Sequence, residues 1–230
     1  MHEPTSLDAI EAAIGFRFTN RQLLSEALTH SSYTAEHAGQ DSYERLEFLG
    51  DAVLELATTE LIFTAMEGEP EGPMTKVRAS VVDEATLADV ARSWNLSGAI
   101  RLGVGEERSG GRERSSILAD VVEAVIAAIH LDGSFAAATS VIDSTWAPIV
   151  RARLAAVHVS DSRSMLQEIL AKDGRTVLFE FARSGPDHAV VFKASAIVNG
   201  DVIGIGTGGS KKVAAIDAAR DALDRAGEAS

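Results

Sequence analysis

The sequence predicts a mainly α protein, an all-helical first part followed by a small α-β-β-β-α domain. Three observations predict it. Apolar residues recur at helical spacing from Leu7 to about Val157. Beyond about Ser160 the pattern changes to alternating, β-rich runs with a helical segment on either side. Charge breaks at the same place: Met1 to Ser160 carries 12 basic and 24 acidic residues, while Asp161 to Ser230 carries 9 and 10. Residues 1–158 and 161–228 are therefore expected to be separate domains.

The helices of the first part are expected at Leu7 to Ile14, Asn20 to Leu28, Ser42 to Met66, Pro73 to Val81, Asp83 to Trp94, Ser115 to Leu131 and Phe135 to Val157. Thr19-Asn20 and Asp83 supply side chains that accept hydrogen bonds at a helix start. "EGEPEGP" (67–73) and "GVGEERSGGRER" (103–114) are rich in Gly, Pro and charge, and read as loops. In the second part, Ser164 to Lys172 reads as a short helix. "TVLFEFARS" (176–184), "AVVFKASAIV" (189–198) and "DVIGIGTG" (201–208) read as strands, with Asn199-Gly200 as a tight hairpin turn. A last helix runs from Ser210 to about Ala226.

Composition narrows the chemistry. There is no cysteine, so disulfides and thiolate metal sites are excluded. The N-terminus lacks the basic start and apolar run of a signal peptide, and no apolar run reaches the length of a membrane span. A soluble cytoplasmic protein is expected. The net charge of −13 argues against a polyanionic partner, but its concentration in the first part asks for a local explanation.

That explanation begins in "ERLEFLGDAVLEL" (44–56). Glu44, Glu47, Asp51 and Glu55 fall within an arc of roughly 80° on a helix, opposite Leu46, Leu49, Val53, Leu56 and Ala57. A solvated face places Lys or Arg four residues after Glu; here acid follows acid at that spacing. A second pair, Asp120 and Glu123, sits in "ILADVVEAVIAAIHL" (117–131), where 12 of 15 residues are apolar. Such a helix is buried, and carboxylates in it need cations. Arg112 and Arg114 could supply them. Alternatively the two acidic pairs face one another and form a hard-oxygen site, which favours Mg²⁺ or Mn²⁺ over zinc and suits phosphodiester hydrolysis through metal-activated water. The Glu-x-x-His pairs of a di-iron oxidase are missing, since the residues three after Glu47, Asp120 and Glu123 are Gly50, Glu123 and Ile126. His30 and His130 read as structural histidines.

"YERLEFLGDAVLEL" and "GGRERSSILADVVEAVIAAIHLDG", with "LTHSSY" and "EGPMTKVRASVV" in matching order, resemble the bacterial ribonuclease III family. The tail, from "SMLQEIL" through "GTGGSKKVAAIDAARDAL", resembles a double-stranded RNA-binding domain. The resemblance spans nearly the whole chain. It implies a homodimeric, magnesium-dependent endonuclease that cuts both strands of duplex RNA and leaves short 3′ overhangs. Residue by residue it implies Glu47, Asp51, Asp120 and Glu123 as metal ligands, with Asp51 and Glu123 the most sensitive for catalysis. Glu44 and Glu71 match accessory acids of the RNA cleft, Phe48 matches a residue that packs into the partner subunit, and Glu55 matches nothing and reads as solvated.

Duplex RNA hides its bases in a narrow major groove, so its binders read shape and phosphate. Lys211 and Lys212 open the last helix, where free N–H groups already favour phosphate. Gln167 and His188 are placed to reach minor grooves. Where the family often carries further basic residues, this chain has Val104 and the run Val213-Ala214-Ala215. Modest, strongly salt-dependent RNA affinity is expected. A double-strand-specific endoribonuclease acting on ribosomal RNA precursors and structured transcripts is the leading expectation; an RNA-binding regulator that does not cut is the alternative.

Overall fold

The computed structural model of the chain describes residues 5–186 and 190–228, with the backbone alone at 156–161 and 227–228. It comprises two compact units, Met1–Arg153 and Leu154–Ser230. The first holds α1 (Leu7–Ile14), α2 (Arg21–Ala27), α3 (Ser31–Glu36), α4 (Glu44–Ala65), α5 (Glu71–Val81), α6 (Glu84–Ser93), α7 (Val104–Arg108) and α8 (Ser115–Asp132). A further helical element, α9 (Phe135–Lys172), contributes its first part to this unit and its last part to the second.

Local chemistry sets these boundaries. The Ser6 hydroxyl accepts from Ala9 N and starts α1, and Gly15, at φ 77°, ends it in the left-handed region. Asn20 caps α2 through Gln22 N, and Asp83 caps α6 through Thr86 N at 2.8 Å. The Asp132 carboxylate accepts from Thr19 N and Asn20 N at 2.7 and 2.8 Å, which ties the start of α2 to the end of α8.

Helix α8 is the axis of the first unit. Eleven of its 18 residues are buried, and α2, α4 and α6 pack around it. Burial of that many aliphatic side chains is the main source of this unit's stability. Trp146, fully buried, donates its indole N–H to the Val81 carbonyl at 2.9 Å and meets Trp94 edge to face.

Five details depart from the sequence reading. The segments expected at Phe135 to Val157 and Ser164 to Lys172 form one helical element. The pattern changes near Ser160, yet no Gly or Pro stands between the two segments to interrupt a helix. Helix α5 starts at Glu71, inside the expected loop, because Pro70 is extended and Pro73 is tolerated in the first turn. The expected loop 103–114 holds α7, and α3 appears where no helix is predicted; both are too short to show periodicity. Leu56, expected on the buried face of α4, is 51% exposed.

The second unit is a three-stranded antiparallel sheet in the order β1 (Leu178–Ser184), β2 (Val191–Val198), β3 (Asp201–Gly208), with α10 (Lys211–Glu228) against it. Val198 pairs with Asp201 across a two-residue turn in which Asn199 and Gly200 both have positive φ. Leu166, Leu170, Val198 and Ala218 lie in its core. A Cβ on Gly204 or Gly206 would collide with α10 backbone, so the glycines of "GIGTG" let helix and strand touch. The Asp217 and Asp221 carboxylates accept from Thr207 N and Ile205 N, which satisfies the free edge of β3. Among the described residues no helix is long and apolar enough to cross a membrane.

Candidate active site

Gly50 is the point where the two acidic helices meet. A Cβ built on it would stand 1.8 Å from the Glu123 carbonyl oxygen and 3.1 Å from Glu123 Cα, so α4 touches α8 backbone to backbone. Glu47 and Asp51 flank Gly50 on α4, on either side of it. Asp120 and Glu123 lie one turn apart on α8. The contact therefore brings all four to one face, and Glu47, Asp120 and Glu123 are half-buried there while Asp51 is exposed.

Electrostatics record the convergence. Burial, and then the charges of Asp51, Asp120, Glu47 and Glu55, push the Glu123 carboxyl up to about 8. Glu47 is raised by burial and by Asp120, Glu44 and Asp51. Asp120 is raised by burial, partly countered by a hydrogen bond from Tyr43 and by His30. The two arginines that could have neutralised this face are engaged elsewhere. Arg112 pairs with Glu107 and donates to the Ser97 and Ile100 carbonyls, and Arg114 pairs with Glu106. Among the described residues, no group of three or more His, Cys, Asp or Glu side chains already stands in a metal-holding arrangement. The four acids share a face without forming such a group.

Other sequence-selected residues fall at varying distances from this face. Glu44, in the first turn of α4, accepts from the Ser42 hydroxyl and adds its charge to Glu47. Glu55 is exposed, and its charge is the last and smallest of those that raise Glu123. Glu71 opens α5, accepts from the Thr75 hydroxyl at 2.6 Å, and lines a groove of about 210 Å³ with Thr59, Phe63 and Arg78; it is not among the charges felt at Glu123. His30 caps α3 through Nδ1, which accepts from Ser32 N at 3.0 Å. His130 lies in the last turn of α8, edge-on to Phe135, with its Nδ1 buried and without a hydrogen-bond partner among the described residues. Phe48 is 84% exposed, and with Leu56 and Phe63 forms an apolar stripe on α4 beside the acids.

Sequence reasoning leaves Tyr43 unassigned. It precedes α4, is buried, and its hydroxyl donates to Asp120 Oδ2 at 3.2 Å across 77 positions of sequence. Burial and the Asp120 charge raise its pKa, so the phenol remains a donor. A tyrosine just ahead of an acidic helix carries no signal of that bond.

In the second unit, Gln167 is exposed on the last part of α9, and Lys211 and Lys212 are exposed in the first turn of α10. Lys211 Nζ lies 5.7 Å from the centroid of the Phe181 ring. Ser210 supplies the cap of α10 through Val213 N. Three acids of this unit are paired: Asp173 with Arg175, Asp217 with Arg220, Asp221 with Arg225. Ala214 and Ala215 are buried. His188 lies outside the described residues.

Comparison with known proteins agrees with both units. Residues 20–149 match the family described as ribonuclease-III-like, and residues 162–225 match the double-stranded RNA binding motif. Ribonuclease 3 of Listeria monocytogenes is 41% identical over 223 residues, 95% of this chain and 96% of the relative. Ribonuclease 3 of Clostridium beijerinckii is 41% identical over 221 residues, 95% of each. The nuclease domain of the Campylobacter jejuni enzyme superposes with a TM-score of 0.57 at 39% identity, covering 61% of this chain and 99% of that one. Ribonuclease III enzymes are divalent-metal-dependent nucleases. The chain belongs to the ribonuclease III family: it is a double-strand-specific endoribonuclease with a helical nuclease domain and a double-stranded RNA binding motif.

Proposed function

We propose that Glu47, Asp51, Asp120 and Glu123 hold Mg²⁺, or Mn²⁺ in its place, and that this site hydrolyses phosphodiester bonds of duplex RNA. The observation that carries the reading is the Gly50–Glu123 approach, which gathers two acidic pairs on one face while Arg112 and Arg114 pair with other acids. The donor set fits the ion: four carboxylates, no thiolate, and a Glu123 carboxyl raised to about 8 by burial and by the charges of Asp51, Asp120 and Glu47, which a bound cation would offset. When bound, such an ion activates water and stabilises the leaving oxygen.

The chain's own residues do the rest. Asp51 and Glu123 are the acids whose loss should weigh most on the chemical step. Tyr43 occupies one oxygen of Asp120. Glu44 and Glu71 are assigned accessory places along the RNA path. Phe48 anchors a homodimer, whose two-fold axis would present one site to each strand and leave 5′-phosphates and short 3′ overhangs. The nuclease domain from Campylobacter jejuni has a flexible region involved in dimer formation, which supports that assembly. Gln167, His188, Lys211 and Lys212 bind duplex RNA by shape and phosphate. Ribosomal RNA precursors and structured transcripts in the cytoplasm are the substrates this reading assigns.

The test is cleavage of a long RNA duplex by wild type and by Glu123→Gln, with Mg²⁺ and with chelator. Short products from wild type only with Mg²⁺, and a bound but intact duplex with the variant, are expected. Binding without cleavage by wild type, across divalent ions and salt, would overturn the assignment.

A further inference from the structure

The hydrogen bond from Tyr43 to Asp120 has a built setting. The Tyr43 backbone N–H donates to the Thr29 carbonyl at 2.8 Å, and its carbonyl accepts from Glu47 N at 2.8 Å. Its ring is buried and meets His30 with centroids 5.6 Å apart, near edge to face. His30 is itself fixed: its backbone N–H donates to the Arg101 carbonyl at 3.1 Å, and its Nδ1 accepts from Ser32 N. The phenol is thus held from both sides, and the one polar atom at its tip meets the acid on α8.

We propose that Tyr43 is a positioning residue, which sets the orientation of the Asp120 carboxylate and leaves a single oxygen, Oδ1, to face a divalent ion. The inference rests on Asp120 being a ligand, as proposed above. A free aspartate can present either oxygen or both, by rotation about a soft sp³–sp² bond. A donor fixed on Oδ2 removes that freedom and selects one presentation. Ordering of this kind by a partner behind the ligand is worth roughly tenfold to a hundredfold in metal affinity. A purely structural tyrosine would leave metal affinity unchanged.

The experiment measures Mn²⁺ binding to the full chain without RNA, by the electron paramagnetic signal of free Mn²⁺. It compares wild type, Tyr43→Phe, Asp120→Asn and the double variant. Tyr43→Phe keeps the ring and its contact with His30 and removes one oxygen. The expected result is an affinity about tenfold weaker for Tyr43→Phe, with the melting temperature and duplex RNA binding near wild type. In the Asp120→Asn background, Tyr43→Phe should add nothing. Cleavage by Tyr43→Phe should recover as Mg²⁺ is raised, because the loss lies in saturation rather than in maximal rate. Unchanged Mn²⁺ affinity would overturn the proposal, as would a rate deficit that no Mg²⁺ concentration repairs. A Tyr43→Phe protein unfolded under assay conditions would also overturn it, assigning the hydroxyl to stability. If Asp120→Asn leaves Mn²⁺ affinity intact, the failure lies instead with the ligand assignment of Asp120.

Discussion

Substituting Gly50 by alanine tests whether the approach of α4 to α8 creates the site. The added methyl would begin 1.8 Å from the Glu123 carbonyl oxygen, and ordinary contact starts at 3.4 Å, so the helices must part by about 1.6 Å. The obstacle is backbone, which cannot rotate away as a side chain can. Alanine gains up to about 1 kcal/mol of helix propensity over glycine, and overpacking costs roughly 1–3 kcal/mol or more. The steric term wins. For a chain of this size each kcal/mol lowers the melting temperature by about 2–4 °C. The functional effect is expected to exceed the stability effect. A displacement of about 1 Å in a reacting arrangement can cost on the order of a hundredfold in rate, and here the displacement separates Glu47 and Asp51 from Asp120 and Glu123. Thermal melting by circular dichroism and duplex cleavage at saturating Mg²⁺ are the two measurements. A variant that melts with wild type and cleaves within about threefold of it would refute the reasoning, because the close approach would then set neither the packing nor the site.

The charges and the exposed stripe carry three more predictions. Glu123 is raised from an ordinary 4.5 to about 8 in the folded chain, so the folded state retains a proton that the unfolded chain has released between those values. Metal-free stability should therefore fall as pH rises through that window, and Glu123→Gln should flatten the fall and melt above wild type beyond its end; parallel melting profiles in chelator would contradict this. Lys211→Ala and Lys212→Ala should each reduce the slope of log affinity against log salt for duplex RNA by about 1, while leaving the maximal cleavage rate intact. Phe48→Glu should cost about 2 kcal/mol or more of association free energy, read as a shift toward monomer in analytical ultracentrifugation.

What the sequence discloses depends on whether the signal is local. Helix α1 and strand β3 are legible to the residue, α1 from its apolar spacing and β3 from the Asn199-Gly200 turn that precedes it. The acidic face of α4 and the buried character of α8 are legible from periodicity. Leu56 is misread by that same periodicity, since an apolar residue at helical spacing is assigned to the core whether or not a neighbour covers it. Helix α3 has no apolar face to find. Gly50 is visible as a glycine inside a helix, which lowers propensity, but the Glu123 backbone that justifies it stands 73 positions away. The Tyr43 bond is further still from local view. Nor does counting charges describe the second unit. Its near-neutral sum includes Asp217 and Asp221, which are spent on the edge of β3 and on Arg220 and Arg225.

Helix α4 joins three requirements on one cylinder. Leu46, Val53, Leu54 and Ala57 are buried and hold it in the core. Glu47 and Asp51 meet α8 across Gly50. Phe48, Leu56 and Phe63, within an arc of roughly 80° on the helix, stay uncovered beside the acids. A long exposed apolar stripe is unfavourable on a monomer, and four unneutralised carboxylates are unfavourable on any fold. On the function proposed above, each cost would be relieved by a different partner, a second subunit for the stripe and a cation for the acids. Because both faces lie on the same rigid helix, an assembly that covers the stripe through a two-fold axis also fixes the distance between two acidic sites. Two cuts at a set spacing on opposite strands require such a distance. On this reading, the placement of Phe48 next to Glu47 is what couples assembly to the geometry of cleavage.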